Sequence, residues 1–145
     1  MIESTSTLKI RSLVMMESSF TRLPTVTLDG TEVFEGNLEL HAGEGLEKDQ
    51  VFSDLVVYSR VRYKEEIQAE ARVRMIGLFD TTDSTPEMKK GYAFVNCPAI
   101  IFPFIREHIA SLFLKSGLKP FMLDPVNFVQ LAQENQSLQK VETPT

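Results

Sequence analysis

Few side chains in this sequence are equipped for chemistry. His41 and His108 are the only histidines and Cys97 is the only cysteine. Such residues hold zinc or make a nucleophile when they fall at ligand or relay spacing. Neither histidine stands in a metal-ligand spacing with Cys97. Cys97 precedes Pro98 in an apolar run and reads as a small buried hydrophobe, with a reactive thiol as the alternative. Asp80 and Asp83 could share acid–base work as a carboxylate pair. Their setting, Asp80-Thr81-Thr82-Asp83-Ser84-Thr85-Pro86, favours turn and capping roles instead. Gly43-Glu44-Gly45 is too short and too acidic to cradle a phosphate. His108 reads as a packed or hydrogen-bonded interface residue. The inventory points away from an enzyme and calls for no metal and no cofactor.

What the chain has in quantity is apolar surface. It carries ten Phe and three Tyr with no Trp. The run Gly91-Tyr92-Ala93-Phe94-Val95-Asn96-Cys97-Pro98-Ala99-Ile100-Ile101-Phe102-Pro103-Phe104-Ile105 must be buried against more than one small sheet. That indicates assembly and the binding of apolar partners. Phe34, Phe52, Tyr92, Phe94, Phe102, Phe121 and Phe128 lie in or beside loops and helix ends. Most of them fill a core, and some are candidates to line an apolar groove. Met15, Met16, Met75, Met88 and Met122 suit such a groove, because thioether side chains adapt to varied ligands.

The 145 residues fit a single domain spanning 1–145, burying roughly 70% of the unfolded surface. A net charge of −5 argues against nucleic acid as a partner, since phosphate binding calls for clustered Lys and Arg. One cysteine excludes an intrachain disulfide and fits a reducing compartment. No basic-then-apolar leader opens the chain. The apolar run near Cys97–Ile105 is about half of the roughly 20 residues that span a bilayer, so membrane insertion is not expected. A cytoplasmic location is expected.

Positioning elements follow from periodicity. Leu8 to Met16 alternates, with Leu8, Ile10, Ser12 and Val14 on one face, and predicts a strand. Ser18 to Gly30 carries Pro24 and Asp29-Gly30 and predicts a crossover loop. Val33 to His41 predicts a second strand. Val51 to Tyr63 and Ile67 to Leu78 predict a hairpin. Side-chain parity requires Val57 opposite Val73, Val61 opposite Ala69 and Arg60 opposite Glu70. An odd-numbered loop, Lys64-Glu65-Glu66, would deliver that register with Tyr63 opposite Ile67. Ser84 or Thr85 caps a helix with Pro86 in its first turn. Glu107, Ser111 and Lys115 form a polar stripe, but the rest of that helix is apolar over more than half its circumference. A second buried surface is implied, most simply another subunit. Gly117 ends this helix in the left-handed conformation. Asp124 is expected to cap a last short helix with Pro125 at its first position. The tail, about 140–145, is expected to be disordered. Strands followed by helices give an α+β fold.

Asn96-Cys97-Pro98, Phe102-Pro103-Phe104 and Arg106-Glu107, followed by Gly117, Pro120 and Leu123-Asp124-Pro125-Val126-Asn127-Phe128, closely resemble the bacterial protein-export chaperone SecB. The match is specific over about Gly77 to Leu131 and looser over the strands. The resemblance implies a four-stranded antiparallel sheet followed by a long helix and a short C-terminal helix. It also implies assembly as a homotetramer, a dimer of dimers joined through first strands and long helices. The implied activity is ATP-independent holding of non-native polypeptides, including secretory preproteins, before transfer to the SecA motor. Mapped onto this chain, the client groove would use Phe34, Leu38, Leu40, Tyr92, Phe94, Phe121 and Met122. Docking on SecA would use acidic and apolar residues after the first strand and on the fourth, here Glu17 and Glu70. Thr21 replaces a second acid, Glu70 stands where an apolar residue is usual, and Arg72 stands where an acid is usual. The segment from Pro120 to Pro125 is one residue shorter than the pattern. These departures put SecA delivery in doubt. They leave a rival reading, a dedicated SecB-like chaperone for one antitoxin. A small-molecule enzyme would need acid–base groups on inward strand positions, where this chain has Leu55, Val57, Val61, Ala71 and Val73.

Overall fold

A computed structural model describes residues 8–138, so the expected disorder at 140–145 falls outside the described residues. Strands β3 (Gln50–Tyr63) and β4 (Glu66–Thr81) form the central hairpin, flanked by β1 (Leu8–Arg22) and β2 (Val33–Glu44). The sheet is antiparallel in the order β1-β4-β3-β2, which leaves β1 and β2 as its edges. Alternation in the central strands sends Val51, Leu55, Val57, Val61, Ala69, Ala71, Val73 and Phe79 to one face, where all are buried.

The hairpin register holds Val57 opposite Val73, Val61 opposite Ala69 and Arg60 opposite Glu70, as parity requires. The turn that delivers it differs from the expected three-residue loop. Tyr63 pairs with Glu66 around a two-residue Lys64-Glu65 turn, and Lys64 takes φ 55°. Parity is then restored by a bulge that leaves Gln68 unpaired between Ile67 and Ala69. Gln68 is buried, and its carbonyl accepts from the Leu23 N–H at 2.9 Å while its Oε1 accepts from the Thr27 N–H at 3.1 Å. The extra residue thus ties down the crossover between β1 and β2. Farther along that crossover, the Thr31 hydroxyl and N–H and the Tyr63 hydroxyl donate to Asp29 and hold its carboxyl below the usual aspartate value.

β1 continues to Arg22, beyond the expected end at Met16. Its facing also differs. Bulges at Arg11 and Met16 shift the pairing after Ile10 and after Met15. Leu8, Ile10, Leu13, Met15, Ser18 and Phe20 therefore share the side of Phe79, Gly77, Met75, Val73 and Ala71. Val14 turns to the outer side, opposite Ile76. A strand this long keeps its apolar residues on the covered side only by such phase corrections.

One continuous helix covers that side, from Pro86 to Lys115. It comprises α1 (Pro86–Gly91), a π-helical turn (Tyr92–Asn96) and α2 (Cys97–Lys115). Thr85 caps it by accepting from the Met88 N–H at 3.1 Å, with Pro86 in the first turn. By length and apolar content this helix would suffice to cross a membrane, a stretch longer than the sequence run indicated. Cys97, Ile101, Ile105, Ile109 and Phe113 are buried along one face, against β3 and β4. Phe104 and Leu114 on other faces of the helix are exposed in the single chain.

The π turn has a local cause. In a π pattern each N–H bonds five residues back, as Cys97 does to Tyr92. The next residue, Pro98, has no N–H to give the Ala93 carbonyl. Ser53 on β3 supplies the missing donor, its hydroxyl 2.6 Å from that oxygen in the buried core. Ser53→Ala leaves the carbonyl unsatisfied and is expected to cost about 1–3 kcal/mol. Urea unfolding measures it, and a Ser53→Thr variant is expected to retain more stability than the alanine.

Candidate functional site

The site grows from the end of α2. Gly117 adopts φ 83°, and the Leu118 N–H bonds the Phe113 carbonyl at 3.1 Å, closing the helix. Residues 118–127 then run without regular structure back toward β2. Asp124 is not the cap of the last helix, contrary to the sequence expectation. Helix α3 spans Phe128–Leu138. Its cap is Asn127, whose Oδ1 accepts from the Gln130 N–H at 3.0 Å and whose carbonyl accepts from the Leu131 N–H at 3.0 Å. The extended path carries Phe121 and Leu123 into the core, where both are buried.

Phe113 meets Phe20 of β1 at 5.1 Å between ring centroids and Phe121 at 5.3 Å. Phe121 in turn meets Phe34 of β2 edge-on at 5.2 Å. Four rings thus bridge the two edges of the sheet through the helix and the returning segment. Gly36 makes room at the β2 end, since a Cβ there would lie 2.7 Å from Leu123 Cδ2. Between β2 and the returning segment lies an open groove of about 620 Å³. Phe34, Leu38, Val57 and Phe102 line one side, and Pro120, Phe121, Met122, Leu123 and Val126 line the other. Phe34 is 47% exposed and Met122 61% exposed, a high value for two large apolar side chains facing one groove.

Of the seven residues mapped to a groove, the structure brings Phe34, Leu38, Phe121 and Met122 together. Leu40 shares the β2 face of Leu38 but is half-buried against the core. Tyr92 and Phe94 belong to the π turn and are likewise half-buried there. Sequence reasoning missed Gly36, Asn37, Leu123 and Val126. A glycine inside a strand was the available signal for the close approach at position 36.

Glu17 and Glu70 lie on the opposite, outer face of the sheet. Glu17 is ion-paired with Arg72, whose guanidinium sits 5.4 Å from the Tyr58 ring. Glu70 is opposite Arg60, and Arg60 is itself bonded to Glu35 at 3.1 Å. Arg62 joins the same Glu35 at 2.6 Å, and Arg74 grips Asp54 at 2.7 Å. Glu17, Glu35 and Asp54 on this face are thus paired with arginines.

The reactive residue types are dispersed. His108 Nε2 shares a hydrogen bond with Ser18 Oγ at 2.8 Å, and His41 stands opposite Asp54 across the sheet. Asp80 accepts from Gln50 Nε2 at 3.1 Å, while Asp83 occupies a left-handed turn at φ 50°. Burial pushes the Cys97 thiol up to about 12, against a smaller opposing hydrogen bond with Ser53. Among the described residues no group of three or more His, Cys, Asp or Glu could hold a metal.

A four-stranded antiparallel sheet covered on one face by a long helix is the fold of a SecB-like chaperone. The SecB-like chaperone of Mycobacterium tuberculosis, solved in complex with a ChAD peptide from the HigA1 antitoxin, superposes with a TM-score of 0.71. It is 17% identical, and the match covers 83% of this chain and 91% of that one. The family profile of preprotein translocase subunit SecB matches residues 6–139, and the chain belongs to the SecB family. Its relatives include the protein-export protein SecB of Nitrobacter hamburgensis, 29% identical over 63% of this chain and 58% of the relative. That of Rickettsia bellii is 35% identical over 47% of this chain and 45% of the relative. The chain therefore matches about half the length of these relatives.

Gly36→Val places branched carbons where Leu123 now packs and is expected to destabilise the fold by about 1–3 kcal/mol. Adding Leu123→Ala is expected to recover part of the loss, read as coupling in a double-mutant cycle by urea unfolding.

Proposed function

We propose that this chain is a cytoplasmic, ATP-independent holdase that binds non-native polypeptides, secretory preproteins among them, in the groove beside β2. The carrying observation is the pair of exposed apolar side chains, Phe34 and Met122, that face one open groove. A client phenylalanine or leucine leaving water there gains roughly 1.5–3 kcal/mol. No nucleotide or covalent step is needed, because the driving force is desolvation. Assembly as a homotetramer would cover Phe104 and Leu114 on the outer faces of α2 and bring several grooves onto one particle.

The charge pattern on the other side of the sheet favours a client-dedicated variant of this reading. Glu17 is neutralised by Arg72, and the neighbouring arginines are paired with Glu35 and Asp54, so this face offers a basic partner little attraction. Docking on SecA through Glu17 and Glu70 is correspondingly weak. The M. tuberculosis relative is a SecB-like chaperone in complex with an antitoxin peptide, which supports a single dedicated client as the second reading.

Light scattering of a denatured client distinguishes the two. Suppression of aggregation at about one tetramer per client, without ATP, is expected for a general holdase. An intact tetramer that suppresses nothing would overturn the general reading and leave the dedicated one. Arg72→Glu is expected to strengthen SecA binding at low salt several-fold by restoring acid to the outer face. Unchanged affinity would show that this face does not dock SecA.

A further inference from the structure

Oxidants ordinarily find the thiolates of a protein first, and this chain has closed that route. Cys97 is its only cysteine and is fully buried, and burial pushes its thiol up to about 12. The thiolate that would attack a peroxide is therefore absent near neutral pH. The thioethers are the soft nucleophiles that remain. Met75 is buried in the core, while Met15 and Met16 on β1 and Met88 on α1 are exposed outside the groove. Met122 is the most exposed of the described methionines, at 61% against 53% for Met16, and it alone among them lines the groove. Its neighbours Phe121 and Leu123 are both buried, which anchors the segment and leaves the thioether in the wall within reach of solvent.

The rest of that wall is poorly equipped to solvate a polar sulfur. Among the described residues lining the groove, only Asn37 and Asp124 have polar side chains. An ionised aspartate accepts hydrogen bonds without donating them, and Pro120 and Pro125 have no N–H. Asn37 is thus the one side-chain donor in the wall for an oxygen placed on the sulfur.

We propose that Met122 is a reversible oxidation site at which peroxide converts the thioether to the sulfoxide and so weakens the groove's hold on apolar clients. This inference rests on the holdase reading and adds regulation to it. The sulfur lone pair attacks one oxygen of the peroxide, so that an S–O bond forms as the O–O bond breaks. Proton transfer to the departing oxygen releases water; sulfur gives up two electrons and the peroxide takes them. The sulfoxide oxygen is hydrated while the groove stands open. A client closing over it strips that water and leaves a strong acceptor short of donors. A dithiol reductase restores the thioether, the dithiol becoming a disulfide and the oxygen leaving as water. Client affinity would then follow the oxidant level of the compartment with no change of fold.

The probe is a synthetic nonapeptide of Leu, Phe, Ser and Lys, free of Met and Cys, so that only the chaperone carries an oxidisable sulfur. The protein is treated with hydrogen peroxide, the peroxide is removed, and oxygen gained at each methionine is read by peptide mass spectrometry. Met122 is expected to react ahead of Met16 and well ahead of Met75. Peptide affinity is expected to fall about ten-fold with the urea midpoint unchanged. It is expected to return after treatment with the pair of methionine sulfoxide reductases that covers both epimers. Met122→Leu is expected to lose the response, read as the ratio of that variant's own affinities before and after peroxide. The combined Met15→Leu, Met16→Leu and Met88→Leu variant is expected to keep it. A full response in Met122→Leu, or undiminished binding by protein oxidised at Met122, would overturn the switch and leave the holdase reading standing. So would a Met122 that stays unoxidised while Met16 reacts, or a loss of affinity that tracks a lowered urea midpoint. Untreated protein that does not bind the peptide would remove both.

Discussion

The contact of Phe113 with rings on either side sets the geometry on which the groove depends. Phe20 holds one flank of it from β1 and Phe121 holds the other from the segment beyond the helix. Because Phe121 continues to Phe34, the position of α2 over the sheet fixes how far the returning segment stands from β2. Edge-to-face aromatic pairs add about 0.5–1.5 kcal/mol each beyond their burial. The larger effect is geometric. A rigid chain of rings keeps a groove open that an aliphatic core could close by relaxing.

The two faces of the sheet are divided between different physics. The covered face is apolar and continuous with the groove. The outer face is a lattice of arginine–carboxylate pairs reaching from Glu17 to Glu35. Such exposed pairs add little stability each. Their effect is on partner choice, because a face whose charges are already matched offers little field to steer an approaching protein. Binding of apolar segments and docking of a charged partner would thus use separate faces of this chain.

Much of this was legible in the sequence where one physical rule acts alone. Parity gave Val57 opposite Val73 and Arg60 opposite Glu70 because both faces of the hairpin had to be satisfied together. Thr85-Pro86 and Gly117 marked the ends of the long helix because capping and left-handed geometry are local requirements. The bulges at Arg11, Met16 and Gln68 were not legible, since none is a glycine and each answers to a partner strand. Asp124-Pro125 imitated a helix start, but burial of Phe121 and Leu123 keeps that segment extended until Asn127. Within the groove, the family resemblance pointed to Phe34, Leu38, Phe121 and Met122. The role of Gly36 emerges only when the edge of β2 and the returning segment are seen side by side.

The π turn at Tyr92–Asn96 contains one residue more than the α-helical turn it replaces. An α-helix advances about 100° per residue, so that residue rotates α1 against α2 by about that angle. The rotation carries Lys89 to within 3.2 Å of Asp49 in the turn between β2 and β3. A one-residue deletion here would leave α2 packed as it is and swing α1 away from that turn. The long helix thus has a joint at which a change in chain length is absorbed as torsion, and the two ends of the helix can vary independently over evolutionary time.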